Sequence, residues 1–310
     1  METTMDPIAW LLDSDPSIRW QTMRDLTGAS PSAIADERAR VVREGLGAAI
    51  LARQAADGAW RQLDSPAQTP VWLTTLFTML LLRAAGVDPA DPAVESAMAR
   101  LETGVRWNDC DCGWELRPPH TGGNTFFEGE VEPCINGGAL ALGAYFGRPN
   151  DALARRLLAE QLSDGGWNCE APKSAVSSFH TTICVLEGLL EYQRAIGPTS
   201  PITPQIAAAR QRGHEYLLQR SLFRRRSTGE VVDPAFLELA FPPRYRYDIL
   251  RVLDYFRSAH LQPDPRIDEA LAVPTGESVG EPSRWNTLRA LRTLRWRQTA
   301  QLESPRRGAS

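Results

Sequence analysis

Apolar residues fall along this chain in two kinds of stretch. In one kind they recur on a single helical face, as at 41–54, 94–102, 152–161 and 205–219. In the other they go nearly all the way round, as at 71–82, 135–146, 181–192 and 248–256. A helix with one apolar face lies at a surface, whereas one apolar all round is buried. Each one-faced stretch is followed by a polar turn and then an apolar stretch, which predicts helical hairpins in two layers. A shorter fifth pair covers 265–271 and 286–296. Before the first pair, 8–12 and 16–26 are also helical in pattern, with Asp15-Pro16 as a helix start. Strand signals are weak throughout. The expected organisation is one all-α domain over 1–300, with a helical extension (1–40) and repeats (41–300). The polar stretch 301–310 is expected to be a disordered tail.

The turns between the layers repeat as well. Asp57-Gly58-Ala59-Trp60, Asp111-Cys112-Gly113-Trp114 and Asp164-Gly165-Gly166-Trp167 place their tryptophans 54 and 53 residues apart. A fixed period of this length means stacked supersecondary units, and Trp60, Trp114 and Trp167 are structural in that reading. Five hairpins allow the inner layer to close into an α/α toroid, a barrel of helices inside a second ring. The inner helices then all begin at one end, where unpaired N–H groups and partial positive charge gather. Trp72, Cys134, His180, Tyr247, Asp248, Trp285 and Asn286 stand at those starts and would meet at one cavity. Few polar groups among many aromatic ones suit a small, largely apolar ligand.

The 43% hydrophobic and 23% charged residues are those of a globular protein. A formal net charge of −4 argues against non-specific nucleic-acid binding. Lys173 is the only lysine, so the basic charge is nearly all arginine. No basic-plus-apolar leader opens the chain, and the apolar run 71–82 is too short to cross a bilayer, so a cytoplasmic protein is expected. Five cysteines in such a chain point to free thiols or metal ligands rather than a disulfide framework.

Glu132-Pro133-Cys134 and Phe179-His180-Thr181-Thr182 occupy the starts of neighbouring inner helices. Adjacent helices lie about 8–10 Å apart, close enough for an acid, a thiol and an imidazole to meet on one ion. Zinc takes thiolate and imidazole ligands, and a catalytic zinc keeps three protein ligands and one open position. The opposing reading is a buried thiol and a hydrogen-bonded core histidine. Glu130, Asp248, Asp111 and Cys112 compete with Glu132 for the acidic ligand. Asp248 is equally a candidate general base or a helix cap. The Asp109-Cys110-Asp111-Cys112 cluster spaces its cysteines by two positions rather than three, which favours a structural loop over a second metal site. Trp72, Phe179, Tyr245, Tyr247 and Trp285 present ring faces that would stabilise positive charge, or else pack a core. Arg244 and Arg246 would bind an anionic head group, or else sit in solvent, as Arg224, Arg225 and Arg226 are expected to do.

The stretch from Gln161 through Asp164-Gly165-Gly166-Trp167 is similar to the glutamine–tryptophan repeat of squalene and oxidosqualene cyclases. Over roughly 40–298 the chain resembles the α/α-toroid superfamily that these cyclases share with protein prenyltransferase β subunits. The local match is closer to the β subunits, whose zinc is held by an acid, a cysteine two residues on and a later histidine. Glu132, Cys134 and His180 match that pattern, with Glu where the family has Asp. The segment from Ala171 to Leu189 resembles the family's histidine segment. Two departures stand out. Phe126-Phe127-Glu128-Gly129-Glu130 is aromatic and acidic where the β subunits carry basic, diphosphate-binding residues. The Asp-x-Asp-Asp general acid of the cyclases is absent.

The resemblance implies a zinc-dependent enzyme acting on an isoprenoid-like or other apolar small molecule. Glu132, Cys134 and His180 would hold Zn2+, Glu132, Asp248 and Tyr247 would take part in the chemistry, and Trp72, Phe179, Tyr245, Trp285, Arg244 and Arg246 would bind substrate. Two other readings stay open: a metal-free, acid-initiated terpene cyclase with Glu132 as proton donor, and a non-catalytic toroid with a structural zinc that binds a lipid or a partner protein.

Overall fold

A computed structural model describes residues 6–61, 69–107, 123–273 and 282–307. Among them every regular element is helical and there is no strand. The helices, in chain order, are α1 (Pro7–Leu12), α2 (Pro16–Leu26), α3 (Pro31–Ala39), α4 (Gly45–Leu51), α5 (Val71–Ala85), α6 (Pro92–Gly104) and α7 (Pro133–Tyr145). They continue with α8 (Asp151–Ala159), α9 (Phe179–Ile196), α10 (Thr203–Leu218), α11 (Ile249–Ser258), α12 (Asp268–Ala272) and α13 (Arg284–Arg307). The chain divides into two compact units, one of Ala39–His214 and one joining Met1–Arg38 to Glu215–Ser310.

Helix starts follow a shared local rule. Asp6, Asp15 and Asp91 each precede a proline and accept a backbone N–H two residues on. The proline has no N–H to leave unpaired, and its fixed φ suits the first helical position. The predicted helices are found within a few residues of their expected ends, with two differences. The first repeat helix is shortened to α4, because the chain turns at Gly45 (φ 64°) and packs Gly47 on the Val41 carbonyl, where a Cβ would stand at 2.3 Å. At the other end α13 runs on to Arg307 through most of the stretch expected to be a disordered tail.

In the Ala39–His214 unit, α7 and α9 pack with their backbones almost touching. A Cβ on Gly137 would stand 2.4 Å from the Cys184 carbonyl, and one on Gly188 would stand 2.4 Å from the Gly137 carbonyl. Only glycine permits that approach. Asn136, Leu140, Ile183, Val185, Leu186 and Leu189 are buried along the seam. The other unit packs Leu11, Ile18 and Leu26 against Leu288, with Trp10 and Trp285 at the margin. Asp254 of α11 pairs there with Arg292 of α13, and the guanidinium holds its carboxyl below the usual carboxylate range despite burial.

Two of the Gly-Trp turns are described, and their hydrogen bonds match one for one. Gln54 donates to the carbonyls of Gly58 and Ala97, and Gln161 to those of Gly165 and Ala209. Trp60 Nε1 donates to Ile50 at 2.8 Å and Trp167 Nε1 to Leu157 at 2.7 Å. The backbone N–H of each tryptophan reaches a threonine fifteen residues on, Thr75 or Thr182, at 3.1 Å. Asp111, Cys112 and Trp114, with Asp109 and Cys110, lie outside the described residues.

Candidate metal centre

The close packing of α7 and α9 sets their beginnings side by side. α7 starts on Glu132-Pro133, with Glu132 at the cap position. Its carboxyl makes no capping bond; instead Oε2 lies 3.6 Å from Cys134 Sγ. Ser178 caps α9 in the usual way by accepting from Thr181. Just upstream, the chain leaving Trp167 is tied back to that start by a bond from Ser178 N–H to the Trp167 carbonyl, 2.8 Å. The tie brings Cys169, two residues past Trp167, against the first turn of α7.

Glu132, Cys134 and Cys169 present ligand atoms that all lie within 4.8 Å of one another, and all three residues are half-buried. Cys169 Sγ is 3.4 Å from the Thr181 hydroxyl. It also accepts from the Cys134 thiol and from the Cys134 backbone N–H at the α7 terminus. Those donors favour the charged form and pull the Cys169 thiol below its ordinary value. The same thiol–thiol bond, reinforced by burial, pushes Cys134 well above its ordinary value. At the pair, the negative charge therefore belongs on Cys169 first.

The loop that presents Glu132 is held from three sides. Asn136, fully buried, accepts from Glu130 N–H at 2.7 Å and donates to the Glu130 carbonyl at 2.8 Å. Arg156 of α8 donates to the carbonyls of Glu130 and Val131 at 2.5 and 2.9 Å. The Glu130 carboxylate accepts the Glu132 N–H at 2.6 Å. Burial raises the Glu130 carboxyl to about 7, with the Val131 and Glu132 N–H groups working against the rise. Gly129 enters this loop at φ 75°, and a Cβ there would meet Asn136 Oδ1 at 2.4 Å. Backbone carbonyls, a buried amide and a guanidinium thus fix the acid from outside the ligand group.

The other sequence-predicted residues are distributed as follows. His180 is the second residue of α9 and half-buried; the group of three takes Cys169 and does not include it. Phe179, its neighbour, is buried. Trp72 stands near the start of α5, 5.1 Å from the Trp107 ring, which in turn stacks on Phe126 at 5.2 Å. Its Nε1 is buried and has no hydrogen-bond partner. These residues belong to the Ala39–His214 unit.

Asp248, Tyr247, Tyr245, Arg244, Arg246 and Trp285 belong to the other. Asp248, 1% exposed, caps α11 through Oδ1 and stands 3.8 Å from Arg289. Its Oδ2 has no partner, and burial raises its carboxyl even against Arg289. Tyr247 is buried and donates to the Leu222 carbonyl. Arg244, Tyr245 and Arg246 are exposed. Trp285 stacks on Phe241 at 4.3 Å and joins the Leu11–Leu288 cluster.

Cys169 is the residue that sequence reasoning missed. The available signal was positional. A cysteine two residues after the turn tryptophan must pass the start of the inner helix, because that tryptophan is bonded to the same helix. Among the described residues no helix is long and apolar enough to cross a membrane. No protein-family model matches the chain, and a search of curated proteins finds no match.

Proposed function

We propose that this protein is a zinc-dependent enzyme whose ion is held by Glu132, Cys134 and Cys169, and that it acts on an isoprenoid-like or other apolar small molecule. The observation that carries the reading is the convergence of two thiols and a carboxylate within 4.8 Å. Around a tetrahedral zinc, with bonds of about 2.0–2.3 Å, ligand atoms stand roughly 3.5 Å apart. The 3.6 Å between Cys134 and Glu132 already suits that spacing, and small side-chain rotations bring Cys169 to it. Two thiolates and one carboxylate are a donor set for a borderline-soft ion, and three protein ligands leave a fourth position for substrate.

The bound ion would supply Lewis acidity and lower the pKa of a thiol or water at that position. The chain's own residues do the rest. Cys169 carries charge readily, Arg156 and Asn136 hold Glu132 in place, and the Trp72, Trp107 and Phe126 rings offer an apolar wall within the same unit. We further propose the α/α toroid as the architecture, supported by the alternating helices and by the two superposable Gly-Trp turns. The isoprenoid class rests on the resemblance of Glu132, Cys134 and the Phe179–Leu189 segment to prenyltransferase β subunits.

Metal analysis of the wild type beside Cys134→Ala, Cys169→Ala and His180→Ala tests the site. About one zinc per chain, lost in both cysteine variants and kept in His180→Ala, is the expected result. Zinc kept in Cys169→Ala and lost in His180→Ala would replace this ligand set by the one the resemblance implies. No zinc in the wild type would refute the metal reading.

A second reading has one observation in its favour. Asp248 is a buried carboxyl with an unpartnered oxygen and a raised pKa, the condition a general acid needs. A metal-free, acid-initiated reaction predicts that Asp248→Asn abolishes turnover and that removing metal does not.

A further inference from the structure

We propose that Cys134 and Cys169 also form a reversible disulfide that switches the metal centre off under peroxide. The inference rests on the proposed metal site only for what the disulfide displaces; the bond itself needs only the two thiols.

The argument is geometric. The two sulfurs lie within 4.8 Å and share a hydrogen bond, so no other group stands between them. One sits in the first turn of α7 and the other in the loop before α9, on backbone that the Gly137–Gly188 contact holds together. Both are half-buried rather than sealed, so a small oxidant can reach them. Cys184, by contrast, is 5% exposed within α9. Closing the bond requires the sulfurs to approach to about 2.05 Å, a side-chain movement at one or both residues. A disulfide sulfur is a poor zinc ligand compared with a thiolate, so oxidation would remove two of three donors at once.

The chemistry balances with hydrogen peroxide as the oxidant. The Cys169 sulfur attacks one peroxide oxygen, the O–O bond breaks, and the departing hydroxide leaves as water with a proton. Cys169 is then a sulfenic acid. The Cys134 sulfur attacks the Cys169 sulfur; the S–S bond forms, the S–O bond breaks, and a second water leaves with the Cys134 proton. Two thiols have lost two electrons and peroxide has gained them. A dithiol reductant reverses the change through a mixed disulfide.

The test treats metal-free and zinc-loaded full-length protein with equimolar hydrogen peroxide. Peptide mapping identifies the bonds, and a chromogenic chelator measures released zinc. The expected result in both samples is one cross-linked peptide pair joining Cys134 to Cys169, lighter by two hydrogens. Zinc would leave in step with the cross-link, and dithiothreitol would restore both thiols and zinc binding. Cys134→Ser and Cys169→Ser, each kept folded by a near-isosteric side chain, should form no cross-link. Cross-links to Cys184 instead, or sulfinic acids without any cross-link, would overturn the proposal. A Cys134–Cys169 disulfide in a protein that never binds zinc would sustain the thiol pair and refute the metal reading alone.

Discussion

The turn around Trp60 and the turn around Trp167 are the same structure carrying different cargo. Each uses a glutamine to bridge its own glycine carbonyl to the next outer helix, and each bonds its indole N–H ten residues back. In each a glycine at positive φ, Gly58 or Gly165, presses on backbone where a Cβ would stand 2.4 or 2.6 Å from a carbonyl oxygen. They part at two positions. Where the second turn has Cys169 two residues past its tryptophan, the first has Gln62; where α9 opens with Phe179-His180, α5 opens with Trp72-Leu73. The scaffold is repeated, and reactive side chains are placed on it in one repeat only. The lesson is that the Gly-Trp turn positions whatever follows the tryptophan against the neighbouring inner helix. It becomes a metal site where that helix begins with an acid and a thiol.

Removing the tryptophans has the largest expected effect on this comparison. Trp167→Ala and Trp60→Ala each empty a buried site and orphan a carbonyl, so each should cost about 3–5 kcal/mol of stability in denaturant unfolding. Only Trp167→Ala should also reduce zinc content, because only that turn holds a ligand. Equal metal loss in both would mean that the variants fail globally and that the turn has no special role.

Acid should separate the turns next. His214 follows Gly213, whose missing side chain lets Trp167 and Leu186 pack on α10. Burial, with Arg210 nearby, lowers the His214 pKa from 6.5 to about 3. The folded chain therefore holds this imidazole neutral while the unfolded chain protonates it below pH 6.5. Its contribution is intact above that pH and is lost as pH falls from 6.5 toward 3, by about 1.4 kcal/mol per unit. In unfolding measured across that window, His214→Asn should flatten the dependence relative to wild type. An unchanged slope would show that His214 is already protonated in the fold.

Smaller effects should follow at the ligand-bearing loop. Arg156→Ala removes two donors to the carbonyls before Glu132 and touches no ligand, so zinc affinity should weaken by about tenfold or somewhat more while the fold is kept. Competition with a zinc chelator measures this. Thr182→Val and Thr75→Val each remove one partner of a buried N–H and should cost about 1–2 kcal/mol alike. A clear difference between the two would show that the turns are less equivalent than their bonds indicate.

Much of this was legible in the pattern of apolar positions. The apolar stretches at 71–82, 135–146 and 181–192 became α5, α7 and α9, because all-round apolar helices of that length have few ways to be buried. The Asp-Pro starts were legible from capping chemistry alone. Cys169 was not. Its place depends on a hydrogen bond between Ser178 and Trp167 across a loop, and on two glycines that let α7 and α9 approach. Neither has an apolar period to betray it. His180 carried the stronger sequence signal, yet position in a resembling segment does not decide which neighbour reaches Cys134. Asp248 illustrates the same limit, since its cap role follows from sequence while its unpartnered Oδ2 and raised pKa follow only from burial.

Cobalt(II) titration of the metal-free protein tests the central claim most directly, because thiolate ligands give a charge-transfer absorption that carboxylate and imidazole do not. The account predicts one equivalent bound with a tetrahedral spectrum, a charge-transfer band reduced by about half in Cys134→Ser and in Cys169→Ser, and little change in His180→Ala. A band that survives intact in Cys169→Ser, or no band in the wild type, would contradict it.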